Sequence, residues 1–139
     1  MSGLQDLVAL IRADTPLIVI ETPDEPRVVE LFRQSLMHVW RALFRWSITE
    51  GLRRIDMDRE DDAHVAPDAG ATLQAIYAAE QRGVYLLLDF APYLRYAGTL
   101  RQVRDILQRR NCLPHVVVLV GQKIELHGFD FLRERLGAA

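Results

Sequence analysis

The spacing of apolar residues changes several times along this chain. The clearest stretch is Gly83-Val-Tyr-Leu-Leu-Leu-Asp-Phe90. Val84 to Leu88 is an unbroken apolar run, too short for a helix and without polar alternation. That pattern predicts a strand covered on both faces, as in a parallel sheet flanked by helices. The acid then stands at the carboxyl end of the strand, where open α/β sheets place their ligands.

The remaining elements follow from the same reading. Leu4, Leu7, Val8 and Ile11 share one face of a helix over 3–12. Leu17 to Ile20 is rich in β-branched residues and reads as a strand closed by Glu21-Thr22-Pro23. Asp24-Glu25-Pro26 looks like a helix start, with acids in the first turn and Pro near the front. Val28, Phe32, Leu36, Val39 and Leu43 extend that helix to about residue 43. Phe44 to Ile48 alternates and reads as an edge strand; Thr49-Glu50-Gly51 turns, and Leu52 to Ile55 is a short extension. Residues 56–70 carry six acids and little apolar content, which predicts a mobile surface loop. A helix is expected over 71–82, a loop over 91–98, a helix over 99–110 and a strand over 115–120. An amphipathic tail runs from about 125 to 139. Strands alternating with helices argue for a single three-layer α/β/α domain with a small, mostly parallel four-stranded sheet. One sheet edge is left for a partner or a further segment.

Composition narrows the function classes. The 139 residues are half apolar and about a quarter charged, enough for one domain with a real core. A net charge of −2 exerts no general pull toward nucleic acid or anionic lipid. Cys112 is the only cysteine, so no internal disulfide forms and a reducing cytoplasm fits. No apolar run approaches the roughly 18 residues of a membrane span. The start, Met1-Ser-Gly-Leu-Gln-Asp6, lacks the features of a signal peptide.

Candidate chemistry is sparse. Asp56 to Asp62 resembles the opening of a calcium loop. It lacks the turn glycine and has Pro67 where the bidentate Glu belongs, so a solvated acidic loop is the better reading. His38, His64, His115 and His127 show no metal-ligand spacing with each other or with Cys112. Ser35 and Ser47 lack a nucleophile-elbow context. Arg101, Arg104, Arg109 and Arg110 give one helix a basic face, with Tyr93 and Tyr96 just before it. The face suits solvent or a protein contact better than nucleic acid. Trp40, off the apolar stripe, marks a second candidate protein-contact patch.

Four stretches together carry a family resemblance: Pro16-Leu-Ile-Val-Ile-Glu-Thr22, Phe44-Arg-Trp-Ser-Ile-Thr-Glu-Gly-Leu-Arg54, Gly83-Val-Tyr-Leu-Leu-Leu-Asp-Phe-Ala-Pro-Tyr-Leu94 and Val116-Val-Val-Leu-Val-Gly-Gln122. Over residues 3 to 126 the chain resembles the amino-terminal module that precedes the ATPase domain in AAA+ proteins related to a hypothetical chloroplast reading frame. The W-S-x-T-x-G-L and D-F-x-P-Y-L runs are its more specific motifs. The resemblance implies a decayed copy of the ATPase core with its phosphate loop lost. Leu17 to Ile20 would match the strand before that loop, Leu86 to Asp89 the Mg²⁺-acid strand and Val116 to Gly121 the sensor strand. It also implies the spatial order first, fourth, third, second strand. The family continues into a full ATPase domain, whereas this chain ends at Ala139 after a Gly128-Phe-Asp-Phe-Leu132 run that does not align. An isolated module and a shortened reading frame both fit.

A phosphate loop needs glycines, Lys and Ser or Thr in G-x-x-x-x-G-K-[ST]. Glu21-Thr-Pro-Asp-Glu-Pro26 stands there without Gly or Lys, with two prolines that lack N–H donors and three acids that repel phosphate. Asp89 is followed by Phe90 where a hydrolytic ATPase of this type usually has a water-activating Glu. Asp89 is thus either a Mg²⁺ ligand or its relic, or a strand-end acid that accepts backbone N–H bonds or pairs with an Arg; the second is favoured. The first expectation is a non-catalytic regulatory or assembly module, with no cofactor, binding an ATPase domain or a second copy of itself. The alternatives are weak ATP–Mg²⁺ binding through Asp89 and strand-end amides, and nucleic-acid contact through the Arg-rich helix.

Overall fold

The computed structural model describes residues 3–56, 67–109 and 114–124, and the backbone of 133–136. Its elements in order are α1 (Gly3–Arg12), β1 (Leu17–Glu21), α2 (Glu25–Ser35), β2 (Ala42–Ser47), β3 (Gly51–Arg54), α3 (Ala69–Ala78), β4 (Gly83–Leu88), a 3-10 helix (Ala91–Arg95), α4 (Ala97–Leu107), β5 (Val116–Gly121) and β6 (Arg133–Leu136). The sheet order is β3-β2-β4-β5-β1-β6. All pairs are parallel except β2–β3.

This is the three-layer α/β architecture that the alternation predicts, with the order β1-β5-β4-β2 at its centre. Alternate residues of each strand feed two cores. Ile18, Leu43, Leu86 and Val118 pack under Leu7, Ile11 and Phe32 of α1 and α2. Val19, Trp46, Leu87 and Leu119 pack under Leu73, Ile76, Val103 and Ile106 of α3 and α4. Every residue of β4 and β5 is buried, as continuous apolar runs require of strands covered on both faces.

Several boundaries differ from the sequence expectation. The sheet has six strands rather than four. The expected edge strand is internal, because β2 pairs β4 on one side and β3 on the other. The extension at 52–55 is β3, folded back through a turn in which Gly51 takes φ 77° and Ser47 Oγ accepts from Glu50 N at 3.2 Å. The second helix ends at Ser35 instead of about 43. Ser35 Oγ bonds back to the Leu31 carbonyl at 2.9 Å, a bond that competes with the helical ladder. Leu43, which continues the helical stripe, is instead in register with Val84 across the β2–β4 ladder. Helices α3 and α4 each start about two residues early and end short of the expected limits. The 91–98 loop holds the 3-10 helix. Of the acidic segment, 57–66 lie outside the described residues, as does most of the tail. Asp56 is structural: burial pushes its carboxyl up, but Arg54 at 2.8 Å and the Leu43 N–H outweigh that and hold it below the ordinary value.

The amino ends of β4 and β5 are locked by one histidine. His115 is buried, and its Nδ1 lies 3.1 Å from Gly83 N. That amide can only donate, so Nδ1 accepts and Nε2 carries the proton, donating to the Ile76 carbonyl at 3.0 Å. The ring also meets Tyr85 edge-on at 4.9 Å, and Tyr85 stacks on Phe44 at 4.7 Å. Gly83 is required by the same packing, since a Cβ there would lie 2.8 Å from the Tyr85 ring. Burial first, then the charge of Arg109, lowers the His115 pKa to about 4 against the pull of the Ile76 and Ala79 carbonyls.

This lock makes stability pH-dependent. Between the unfolded value of 6.5 and about 4, the unfolded chain takes up a proton that folded His115 refuses. Stability from this group is therefore complete above pH 6.5, falls as pH drops, and levels off below about 4. The total loss is on the order of 3 kcal/mol. Urea unfolding from pH 6.5 to 5 is expected to show this slope in the wild type and a much flatter one in His115→Gln. Equal slopes would assign the pH dependence to other groups.

Candidate functional site

Parallel strands bring the carboxyl ends of β1, β4 and β5 to one rim of the sheet, and the residues that sequence reading singles out there do meet. The β1–α2 turn occupies the phosphate-loop position. Thr22 Oγ1 accepts from Asp24 N at 3.1 Å, and Pro23 O accepts from Glu25 N at 3.2 Å. Asp24 caps α2: its Oδ1 accepts from Arg27 N at 3.2 Å and its carbonyl accepts from Val28 N at 3.3 Å. Pro26 has no N–H. The amides from Asp24 through Val28 are thus either taken up within the chain or missing. These are the groups with which a phosphate loop would hold its anion.

Asp89 stands beside this turn. Its N–H extends the β4–β5 ladder to Val120 O at 2.8 Å, after which the chain turns at φ 54°. A non-glycine residue in this left-handed region carries strain, although Asp tolerates it better than most. The carboxylate projects over the end of β5, where its Oδ1 lies 3.6 Å from the position of a Cβ on Gly121. It accepts no backbone N–H and pairs with no arginine among the described residues, so neither partner foreseen for a purely structural acid is present. Its charge is felt by Glu25. Burial first, then Asp89, raises the Glu25 carboxyl above its ordinary value, while Arg45 pulls it down.

A cleft of 410 Å³ opens on the same rim. Helix α2 supplies Glu25, Glu30 and Arg33; β2 and its turn supply Arg45, Ser47 and Glu50; Val29 and Leu88 are apolar lining. Glu50 lies 3.3 Å from Arg45 and 3.6 Å from Arg53. The cleft has no nucleophile held by a base. Among the described residues no three His, Cys, Asp or Glu side chains converge to hold a metal ion.

The opposite face of the rim is closed by aromatics. Trp46, fully buried, meets Phe90 edge-on at 5.0 Å and Tyr93 at 5.9 Å. The two motifs behind the family resemblance are therefore one structure, a clasp between β2 and the segment after β4. Tyr93 belongs to this packing and is only partly exposed; Tyr96 is exposed.

Arg101, Arg104 and Arg109 of the expected basic face each have a partner. Arg109 donates to the Tyr77 and Ala79 carbonyls at 3.0 and 2.7 Å, closing the end of α3. Arg101 pairs with Asp105 at 3.2 Å, and Arg104 also has a partner. Arg110 and Cys112 lie outside the described residues. Trp40 is exposed at the other end of the sheet, before β2. Sequence reading missed Glu25, Arg45 and Glu50 as a set, because they come from three segments with no shared spacing.

Comparison with known proteins follows the same lines. A family model described as SpoVK-like AAA ATPase, N-terminal domain, matches residues 4–127. The chain is also similar to an uncharacterized AAA domain-containing protein ycf46 of Trieres chinensis, with 22% identity over 122 residues. That match covers 87% of this chain and 24% of the relative, so the chain spans a minor part of that protein's length. No solved structure matches.

Three substitutions check the rim. Asp24→Ala is expected to lower stability by about 1 kcal/mol by uncapping α2. Asp89→Gly is expected to unfold no earlier than wild type, whereas Asp89→Val loses about 1–2 kcal/mol in the left-handed region. Equal melting of the Gly and Val variants would show that the turn at Asp89 is not strained.

Proposed function

The chain belongs to the SpoVK-like AAA ATPase N-terminal domain family, and from that premise we propose that it is a non-catalytic regulatory or assembly module that works by protein contact. One observation carries the reading. At the position where an ATPase core grips phosphate, the α2 amides are already bonded to Thr22, Pro23 and Asp24, and Pro26 contributes none. A triphosphate would have to break that cap and approach Glu25 and Asp89, two acids that already repel each other. The partner would be an ATPase domain or a second copy of the module, and the setting the cytoplasm. No described helix is long and apolar enough to cross a membrane. The engagement of Arg101, Arg104 and Arg109 counts against nucleic acid as the partner.

A second reading has its own support. The Asp89 carboxylate is unpaired among the described residues and sits where a Mg²⁺-binding acid stands in an ATPase. Weak nucleotide binding through Asp89 would make the module a sensor rather than a scaffold.

Titration with a fluorescent ATP analogue and Mg²⁺ separates the two, with Asp89→Asn measured in parallel. The expected result is no saturable binding up to millimolar nucleotide in either protein. Saturable binding that weakens in Asp89→Asn would overturn the proposal in favour of the sensor.

A further inference from the structure

At the amino end of the sheet, away from the cleft, two arginines converge on one carboxylate. Asp14 follows α1 at φ 53°. Its Oδ1 lies 3.6 Å from Arg41 Nη2, just before β2, and its Oδ2 lies 3.8 Å from Arg82 Nη1, just before β4. Both separations exceed hydrogen-bond length. Asp14 Oδ1, Arg41 Nε and Arg82 Nε are all shielded from solvent, and none has a hydrogen-bond partner among the described residues. Folded proteins leave few buried polar atoms in this condition. Two guanidinium charges face one carboxylate, so a second carboxylate would balance the group. The cluster is not sealed: Arg41 and Arg82 keep 17% and 34% of their side-chain surface accessible.

Next to these arginines the turn before β2 exposes two large apolar side chains. Arg41 Nη1 donates to the Trp40 carbonyl at 2.8 Å. Trp40 is 68% exposed and Met37 84% exposed, while buried Val39 between them anchors the turn. Trp, Met and Arg are the residue types that concentrate at protein interfaces.

We propose that Met37, Trp40, Arg41 and Arg82 form a docking surface for an acidic, apolar segment of a partner protein. A partner carboxylate meets the accessible part of these two arginine side chains in a charge-assisted contact, and a neighbouring apolar side chain covers the indole. This rests on the protein-contact reading above and names the surface and the chemistry it takes. Nucleic acid fits less well, because Asp14 at the centre and the net charge of −2 oppose a polyanion.

The test is selection of binders from a random peptide library on the whole chain. The strongest selected peptide is then labelled, and its Kd is measured on wild type, Trp40→Ala and Arg82→Gln. The expected peptides pair Asp or Glu with Leu or Phe, weaken as salt rises, and lose affinity roughly tenfold with either substitution. Trp40 is exposed, so Trp40→Ala leaves the fold intact even where Arg82→Gln does not; thermal unfolding checks both. Failure to enrich acidic peptides, or affinity unmoved by Trp40→Ala, overturns the proposal. So does displacement of the peptide by millimolar inorganic phosphate, which marks a free-anion site, or a single-stranded oligonucleotide that binds wild type and not Trp40→Ala. The nucleotide titration reads a different end of the sheet, so either result can fail without the other.

Discussion

The structure depends on the complete burial of β4. Every side chain from Gly83 to Leu88 is out of water, on both faces. A buried backbone cannot leave its N–H and C=O groups unpaired, so both neighbours of β4 have to be strands. That requirement fixes β5 on one side and draws β2 into the interior on the other. It also sets the demands at the two ends of the strand. At the amino end there is room only for Gly83, and a neutral imidazole satisfies its amide. At the carboxyl end the chain must leave sharply between the helical layers, and it does so through Asp89 in the left-handed region.

At the carboxyl rim the amides that open α2 are bonded within the turn itself. The helix dipole at the start of α2 still offers positive potential, but Asp24 and Glu25 now occupy it. Hydrogen bonds within the turn replace those that a ligand would make. What remains is a polar cleft with charges of both signs and a clasp of Trp46, Phe90 and Tyr93 beneath the rim. The clasp joins the two most specific motifs in the chain, so Trp46, Phe90 and Tyr93 serve packing between them.

The two ends of the sheet differ in how their charges are matched. At the carboxyl end Glu25 and exposed Asp89 repel each other where solvent moderates the cost. At the amino end Arg41 and Arg82 share one carboxylate with donors turned away from solvent. An unpaired charge is more costly the less water reaches it. What sets the amino end apart is that exposed Trp40 and Met37 stand beside its arginines.

Local sequence sufficed for the class of fold, the identity of the central strands and the absence of a phosphate-loop motif at 21–26. Those features rest on local facts: apolar runs at Val84–Leu88 and Val116–Val120, and prolines and acids at 21–26 where glycines and Lys are needed. It also placed Asp89 at a strand end. Tertiary structure decided what depends on remote neighbours. Val39 and Leu43 fit a helical stripe and a strand equally well, and pairing with β4 resolved the ambiguity toward a strand for Leu43. Arg109 looked like part of a basic surface, but the carbonyls at the end of α3 claim it, and no pattern around Arg109 announces residues 77 and 79. The Asp14–Arg41–Arg82 group has no spacing to recognise, because it forms only when the sheet brings three element boundaries together. Local propensity and period act over a few residues; ion pairs and ladder hydrogen bonds act across the fold, and they have the last word where the two compete.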